Sequence, residues 1–75
     1  MATAQLFHAA YAELSQSRAA LKAASDAVVF EGSAKNGTKD DQYELGLMSD
    51  ETLDIQDRLI LMMQRLNVPL PPAPT

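Results

Sequence analysis

The sequence predicts an all-α protein, an antiparallel two-helix hairpin with coiled-coil-like packing that is completed into a bundle by oligomerisation or by a partner. Three observations lead to this prediction. Apolar residues recur at alternating steps of three and four in both halves of the chain, the two series have matching lengths, and a glycine-containing segment separates them. With 75 residues and no cysteine, the chain forms at most one domain and has no disulfides. A core this small is marginal alone, so we expect a partner.

The first predicted helix covers residues 4–31, with Thr3 as its N-cap. Alanine, the strongest helix former, is frequent throughout it. Large side chains recur every seven residues, and small ones stand three positions after each of the first three. The large residues are Phe7, Leu14, Leu21 and Val28, and the small ones are Ala10, Ser17 and Ala24. Gly32 fits the position just after the helix.

Residues 32–39 are predicted to form the loop of the hairpin, because they contain two glycines and an Asn-Gly pair but no large apolar residue. Asn36, Gly37 and Thr38 also match the N-glycosylation acceptor pattern. No signal peptide precedes them, so a turn is the favoured interpretation. The absence of both cysteine and a signal peptide favours an intracellular protein over a secreted one.

The second predicted helix covers residues 40–67. Asp40 and Asp41 offer an N-cap and negative charge for its first turn, and Asn67 with Pro69 ends it. Gly46 weakens the interior and Ser49 could start a new helix, so a break between positions 46 and 49 stays open. The apolar stripe of this helix consists of Leu45, Met48, Thr52, Ile55, Leu59, Met62 and Leu66. Residues 69–75 contain all four prolines and are predicted to form an extended tail.

Folding the chain back on itself brings the two stripes together. Pairs such as Phe7 with Leu66 and Leu14 with Leu59 form one set of layers. In the neighbouring layers each small residue of the first helix faces a large one of the second: Ala10 and Met62, Ser17 and Ile55, Ala24 and Met48. Small side chains opposite large ones fill space efficiently, so the sequence predicts that all of these residues form the core.

Two apolar groups fall outside this predicted core. One is a ribbon beside the stripe of the second helix, and the other is a smooth flank of the first helix. Apolar surface that stays uncovered in this way is typical of protein-interaction sites. We therefore expect these residues to contact a protein partner, either a second copy of the chain or a subunit of a larger assembly: Leu53, Ile60 and Met63 in the ribbon, and Leu6, Ala20 and Ala27 in the flank.

The second helix is also strongly acidic. Residues 40–67 contain seven acidic residues and two arginines, and Asp50, Asp54 and Asp57 share one helix face. Such charge disfavours binding to nucleic acid or to an anionic membrane surface, and no segment approaches the about 20 apolar residues of a membrane span. The alternative function is therefore a small acidic inhibitor or chaperone-like binder that occupies a basic surface on a target protein.

No pattern of catalytic, cofactor-binding or metal-ligating residues accompanies these helices. The three aspartates lack a glycine-bearing calcium loop and a Glu-x-x-His partner. His8 is the only histidine, and no serine has a neighbouring base to activate it. The sequence therefore predicts a non-enzymatic protein-interaction module with no cofactor and no metal.

Overall fold

A computed structural model describes residues 2–72 and confirms the all-α hairpin. Helix α1 spans Ala2–Ala27 and helix α2 spans Lys39–Arg65. The two helices pack side by side in opposite directions, and the described residues contain no strand. The hairpin is elongated, with extents of 53 × 20 × 19 Å. Its completion into a bundle stays a prediction.

Helix α1 already includes Thr3, so Thr3 is not its N-cap as predicted. The helix ends at Ala27, before the predicted end at residue 31, so Gly32 lies within the loop and not just after the helix. The side chain of Asn36 explains the early end. Its Oδ1 accepts a hydrogen bond from Val29 N at 2.8 Å, and its Nδ2 donates to Ala27 O at 3.3 Å. The backbone N of Asn36 also donates to Val29 O at 2.8 Å. These bonds satisfy peptide groups that a longer helix would have paired internally.

Helix α2 begins with a capping box at Thr38, not with Asp40 or Asp41 as the N-cap. Thr38 Oγ1 accepts a hydrogen bond from Asp41 N at 3.1 Å, and Asp41 Oδ2 accepts one from Thr38 N at 2.8 Å. The two bonds satisfy N–H groups that have no partner within the helix. Asp40 and Asp41 still place negative charge in the first turn, where the helix dipole favours it.

Helix α2 continues without a break through Gly46 and ends in a Schellman motif. Asn67 adopts a left-handed φ of 57°, and its N–H donates to Gln64 O at 3.2 Å. Val68 N donates to Met63 O at 2.8 Å, which places Val68 against the last turn. These bonds provide donors for two carbonyl groups of the last turn that receive no hydrogen bond from within the helix.

The chain after α2 turns back toward α1. His8 Nε2 donates a hydrogen bond to Pro69 O at 2.6 Å, and Pro71 is half-buried. A carbonyl oxygen only accepts, so Nε2 carries the proton in this contact. Residues 68–72 have no regular secondary structure, and residues 73–75 of the predicted tail lie outside the described part of the chain.

The contact between the helices is partly polar. Ser25 Oγ donates to Gln42 O at 3.0 Å, and Gln42 Nε2 donates to Ser25 O at 3.2 Å. Seven residues further along each helix, Ser49 Oγ donates to Arg18 O at 3.3 Å. Because these bonds recur with a seven-residue step, they fix both the antiparallel orientation and the register of the two helices.

Gln56 continues this series by a further seven residues and is only 3% exposed. Its Nε2 donates to Tyr11 O at 3.1 Å and to Ser15 Oγ at 2.6 Å. A buried amide with two partners avoids the penalty of an unpaired polar group. We name the three hydrogen-bonding residues of α2 that face α1 the polar row: Gln42, Ser49 and Gln56.

The polar row occupies the place predicted for an apolar one. Leu45, Thr52 and Leu59 are buried or half-buried, as expected for the centre of the contact. On the flank that faces α1, however, they are joined by the polar row and Met63. The predicted second core layer is therefore wrong: Met48 is 43% exposed, Ile55 46% and Met62 41%. Leu66, predicted to pack against Phe7 in the first set of layers, is 50% exposed as well.

The small residues of α1 that were expected to face these side chains are exposed as well: Ala10, Ser17 and Ala24. The physical reason is hydrogen bonding. Serine and glutamine reach the backbone carbonyls of α1, whereas methionine and isoleucine have no group that would bind them. The helix is rotated so that the polar flank turns inward and the apolar flank remains in water.

Replacing Gly46 with alanine should stabilise the hairpin. Gly46 lies inside α2, and a Cβ atom at this position would meet nothing within 4 Å. We expect the free energy of unfolding to rise by about 1 kcal/mol, measured by urea denaturation followed by circular dichroism. Gly32→Ala is the control with the opposite sign, because Gly32 has a φ of 81° and alanine there is strained by about 1 kcal/mol. No gain for Gly46→Ala would contradict an unbroken helix.

Replacing Gln56 with alanine should weaken the contact between the helices. The change removes two hydrogen bonds and leaves a space in the contact, so the free energy of unfolding should fall by about 2 kcal/mol or more. Gln64 lies on the same helix but is exposed, and Gln64→Ala should change stability by less than about 0.5 kcal/mol. Equal effects of the two substitutions in the same denaturation assay would show that Gln56 does not hold the helices together.

Candidate protein-interaction surface

The rotation of α2 leaves an apolar surface along one side of the hairpin. A cleft of about 310 Å³ lies there, lined by Ala10, Leu14, Ile55, Arg58, Leu59 and Met62. Beyond the cleft, small residues of α1 and large apolar residues of α2 continue at steps of seven residues. We name this side the open face and define it by three residues from each helix: Ala10, Ser17 and Ala24 of α1, and Met48, Ile55 and Met62 of α2.

The cleft arises from the difference in size between the two helices at this side. Ala10 is too short to cover the flanks of Ile55 and Met62, so both side chains stay in contact with water. Leu14 and Leu59 are half-buried at the base of the cleft. A helix approaching from outside would therefore meet small residues on one side and long flexible ones on the other, a shape that allows close packing.

The hairpin exposes more surface than a compact protein of its mass. Its accessible surface is 5751 Å², whereas a globular protein of 8.1 kDa exposes about 4,500 Å², so the excess is about 1,200 Å². Its radius of gyration is 16.1 Å, compared with about 11 Å for a compact chain of this length. Met63 is the one apolar side chain that is buried among those described. Two helices alone thus fully bury only one of the described apolar side chains.

Half of the residues predicted to contact a partner lie beside the open face. Leu6 and Ala20 each precede an open-face residue of α1 by four positions, and Ala27 continues the same line. Positions four apart are neighbours on a helix surface. All three residues are exposed, so they form the α1 edge of the open face.

The other three predicted residues lie elsewhere. Leu53 and Ile60 follow members of the polar row by four positions, so they lie on the other side of α2, and Ile60 is half-buried. The expectation that Met63 is uncovered is wrong, because its side chain is 0% exposed. Met63 lies in line with the polar row and faces α1. Contact of Leu53 and Ile60 with a partner stays a prediction.

The three aspartates predicted to form the acidic face of α2 are accessible to water. Asp50, Asp54 and Asp57 are all exposed. A second, larger cleft of about 620 Å³ lies on the other side of the polar row, near the loop. Its lining has charges of both signs, including Arg18, Lys22, Lys39, Asp26 and Asp50. Because the charges are mixed, this cleft has no clear preference for an anion or a cation.

Two further properties concern residues 2–72. They contain no group of three histidine, cysteine, aspartate or glutamate side chains close enough together to hold a metal ion. None of their helices combines the length and the apolar character that crossing a membrane requires.

Sequence reasoning placed Met48, Ile55 and Met62 in the core and so missed the open face. A signal for the alternative was present, because Ser49 and Gln56 each follow one of these residues directly. The polar row and the row containing Ile55 lie on opposite flanks of the same central line, which consists of Leu45, Thr52 and Leu59. Either row could therefore face α1 together with that line. Periodicity considers only apolar character, and it therefore favours the row that the structure leaves uncovered.

Comparison of the chain with protein-family models, with curated proteins and with solved structures gives no match.

Proposed function

We propose that the chain is a non-enzymatic protein-interaction module, a helical hairpin whose open face is covered by another protein chain. The observation that carries this proposal is that polar residues of α2 are buried at the contact between the helices while apolar residues stay exposed. Ser49 and Gln56 are buried there, while Ile55 and Met62 beside them remain more than two-fifths exposed. Apolar area gains about 25 cal/mol per Å² when it leaves water, so the free hairpin forgoes stability that a partner would restore.

The hairpin leaves enough surface in water for a protein partner. A stable interface of standard size buries about 800 Å² on each partner, and the whole hairpin exposes about 1,200 Å² more than a compact protein of its mass. Burial of the exposed parts of Met48, Ile55 and Met62 is worth about 1 kcal/mol each. The half-buried Leu14 and Leu59 at the base of the cleft add contacts for an incoming side chain.

Ile55→Glu tests the role of the open face, because Ile55 lies at its centre. Sedimentation velocity of the wild-type chain between about 1 and about 200 µM should show association, and Ile55→Glu should weaken it at least about 100-fold. The helix content should stay unchanged, since position 55 already contacts water. Leu61→Glu is the matched control: Leu61 lies on the same helix, is 64% exposed and does not belong to the open face.

Two outcomes would contradict this role. One is association that survives Ile55→Glu, and the other is association that Leu61→Glu abolishes equally. A wild-type chain that stays monomeric over the whole concentration range would argue against self-association.

A second function, an acidic binder of basic protein surfaces, is favoured by the exposure of Asp50, Asp54 and Asp57. Binding of a purified basic probe protein should then weaken strongly between about 0.05 and about 1 M salt, because exposed charges are screened. Replacing the three aspartates with asparagine should remove this binding and leave the fold intact, whereas Asp26→Asn on α1 should have a smaller effect. Salt-independent binding would exclude this function, since apolar contacts persist at high salt.

A further inference from the structure

We propose that the chain covering the open face is a second copy, packed open face to open face with the two α2 helices antiparallel to each other. This inference rests on the proposed function and adds the identity of the partner and its orientation. Three features of the hairpin support it: a row of charges along the edge of the open face, the position of the apolar residues, and the distribution of small residues on α1.

A row of four charged residues borders the open face along α2. Glu44, Glu51, Arg58 and Arg65 follow one another at steps of seven residues, and the first three each precede an open-face residue by four positions. All four are exposed, and Arg58 lines the cleft itself. We name this set the charged edge; it is acidic in the N-terminal half of α2 and basic in the C-terminal half.

The charged edge complements itself only when two α2 helices run in opposite directions. With Ile55 at the centre, Glu44 lies opposite Arg65 of the second copy, and Glu51 lies opposite its Arg58. Symmetry repeats both contacts, which gives four ion pairs in the dimer. A parallel arrangement would place glutamate against glutamate and arginine against arginine. The change of sign at the midpoint is therefore the pattern expected of a surface that binds its own copy.

The apolar residues of α2 are centred on the same point as its charges. The open-face residues of this helix have Ile55 at their middle. The hydrogen bonds from Ser49 to Arg18 O and from Gln56 to Tyr11 O place Ile55 level with about residue 12 of α1. One two-fold axis through Ile55, perpendicular to the helices, therefore passes α1 at the cleft that Ala10 and Leu14 line.

This axis brings the part of α1 around Ala10 against the same part of the second copy, and the small alanine side chain allows the two α1 helices to approach closely. All neighbouring helices in the resulting four-helix bundle are antiparallel.

Reversal of charges tests the orientation. Glu44→Arg with Glu51→Arg makes the charged edge entirely basic, and Arg58→Glu with Arg65→Glu makes it entirely acidic. Each double variant should dimerise at least about 30-fold more weakly than the wild type in sedimentation equilibrium, because four attractive pairs become repulsive. An equimolar mixture of the two should restore the affinity. The quadruple variant, with the sign order reversed, should dimerise like the wild type, and circular dichroism should show that all variants fold.

Single cysteines give an independent measure of which residues meet, because the chain has no cysteine of its own. Under mild oxidation Ile55→Cys should form a disulfide-linked dimer, since it lies at the axis. Met48→Cys and Met62→Cys should not form one separately, because two copies of position 48 are about 21 Å apart in this arrangement. An equimolar mixture of these two variants should form the crosslink.

The inference would be overturned by a wild-type chain that stays monomeric, by double variants that dimerise as tightly as the wild type, or by crosslinking of Met48→Cys to itself. The proposed function has a separate readout. If association requires Ile55 but is indifferent to the charged edge, the antiparallel dimer is excluded while the role of the open face stands. If association ignores Ile55 as well, both proposals fail.

Discussion

The amide of Gln56 lies between the two helices and donates hydrogen bonds to Tyr11 O and Ser15 Oγ. Together with Ser49 and Gln42 it forms a row that joins α2 to α1 at three successive levels. These bonds set the rotation of α2 about its own axis. That rotation decides which side chains are buried and which are left for other contacts, so the remaining features of the molecule depend on it. A buried polar group tolerates little variation, because an unpaired donor is more costly than a displaced methyl group.

Local interactions at the helix ends fix where α1 stops and where α2 starts. The Asn36 side chain ends α1 by pairing with Ala27 O and Val29 N, and Thr38 starts α2 through its reciprocal bonds with Asp41. The loop between them is therefore held by hydrogen bonds at both of its ends. With the loop defined, the hairpin closes with the register that places each member of the polar row opposite its carbonyl acceptor.

The same rotation accounts for the open face. A helix can bury only a narrow stripe against a single neighbour, and the central line of α2 has the polar row on one flank and an apolar row on the other. Turning the polar flank toward α1 leaves Ile55 and its heptad neighbours in water, beside small residues that cannot cover them. The uncovered row is bordered by charges that change sign at its midpoint. The contact between the helices and the exposure of this apolar row thus follow from one arrangement.

The two helices, their antiparallel course and the loop between them could be read from the amino-acid order, because seven-residue periodicity, alanine content and turn residues act over a few neighbouring positions. The end of α1 at Ala27 and the cap at Thr38 differed from expectation, since each depends on a side chain reaching back several residues. Sequence patterns could not decide whether the row containing Ile55 or the row containing Gln56 faces α1. Both rows adjoin the same central line, and only the carbonyl groups of the facing helix, which are distant in the chain, favour the polar one.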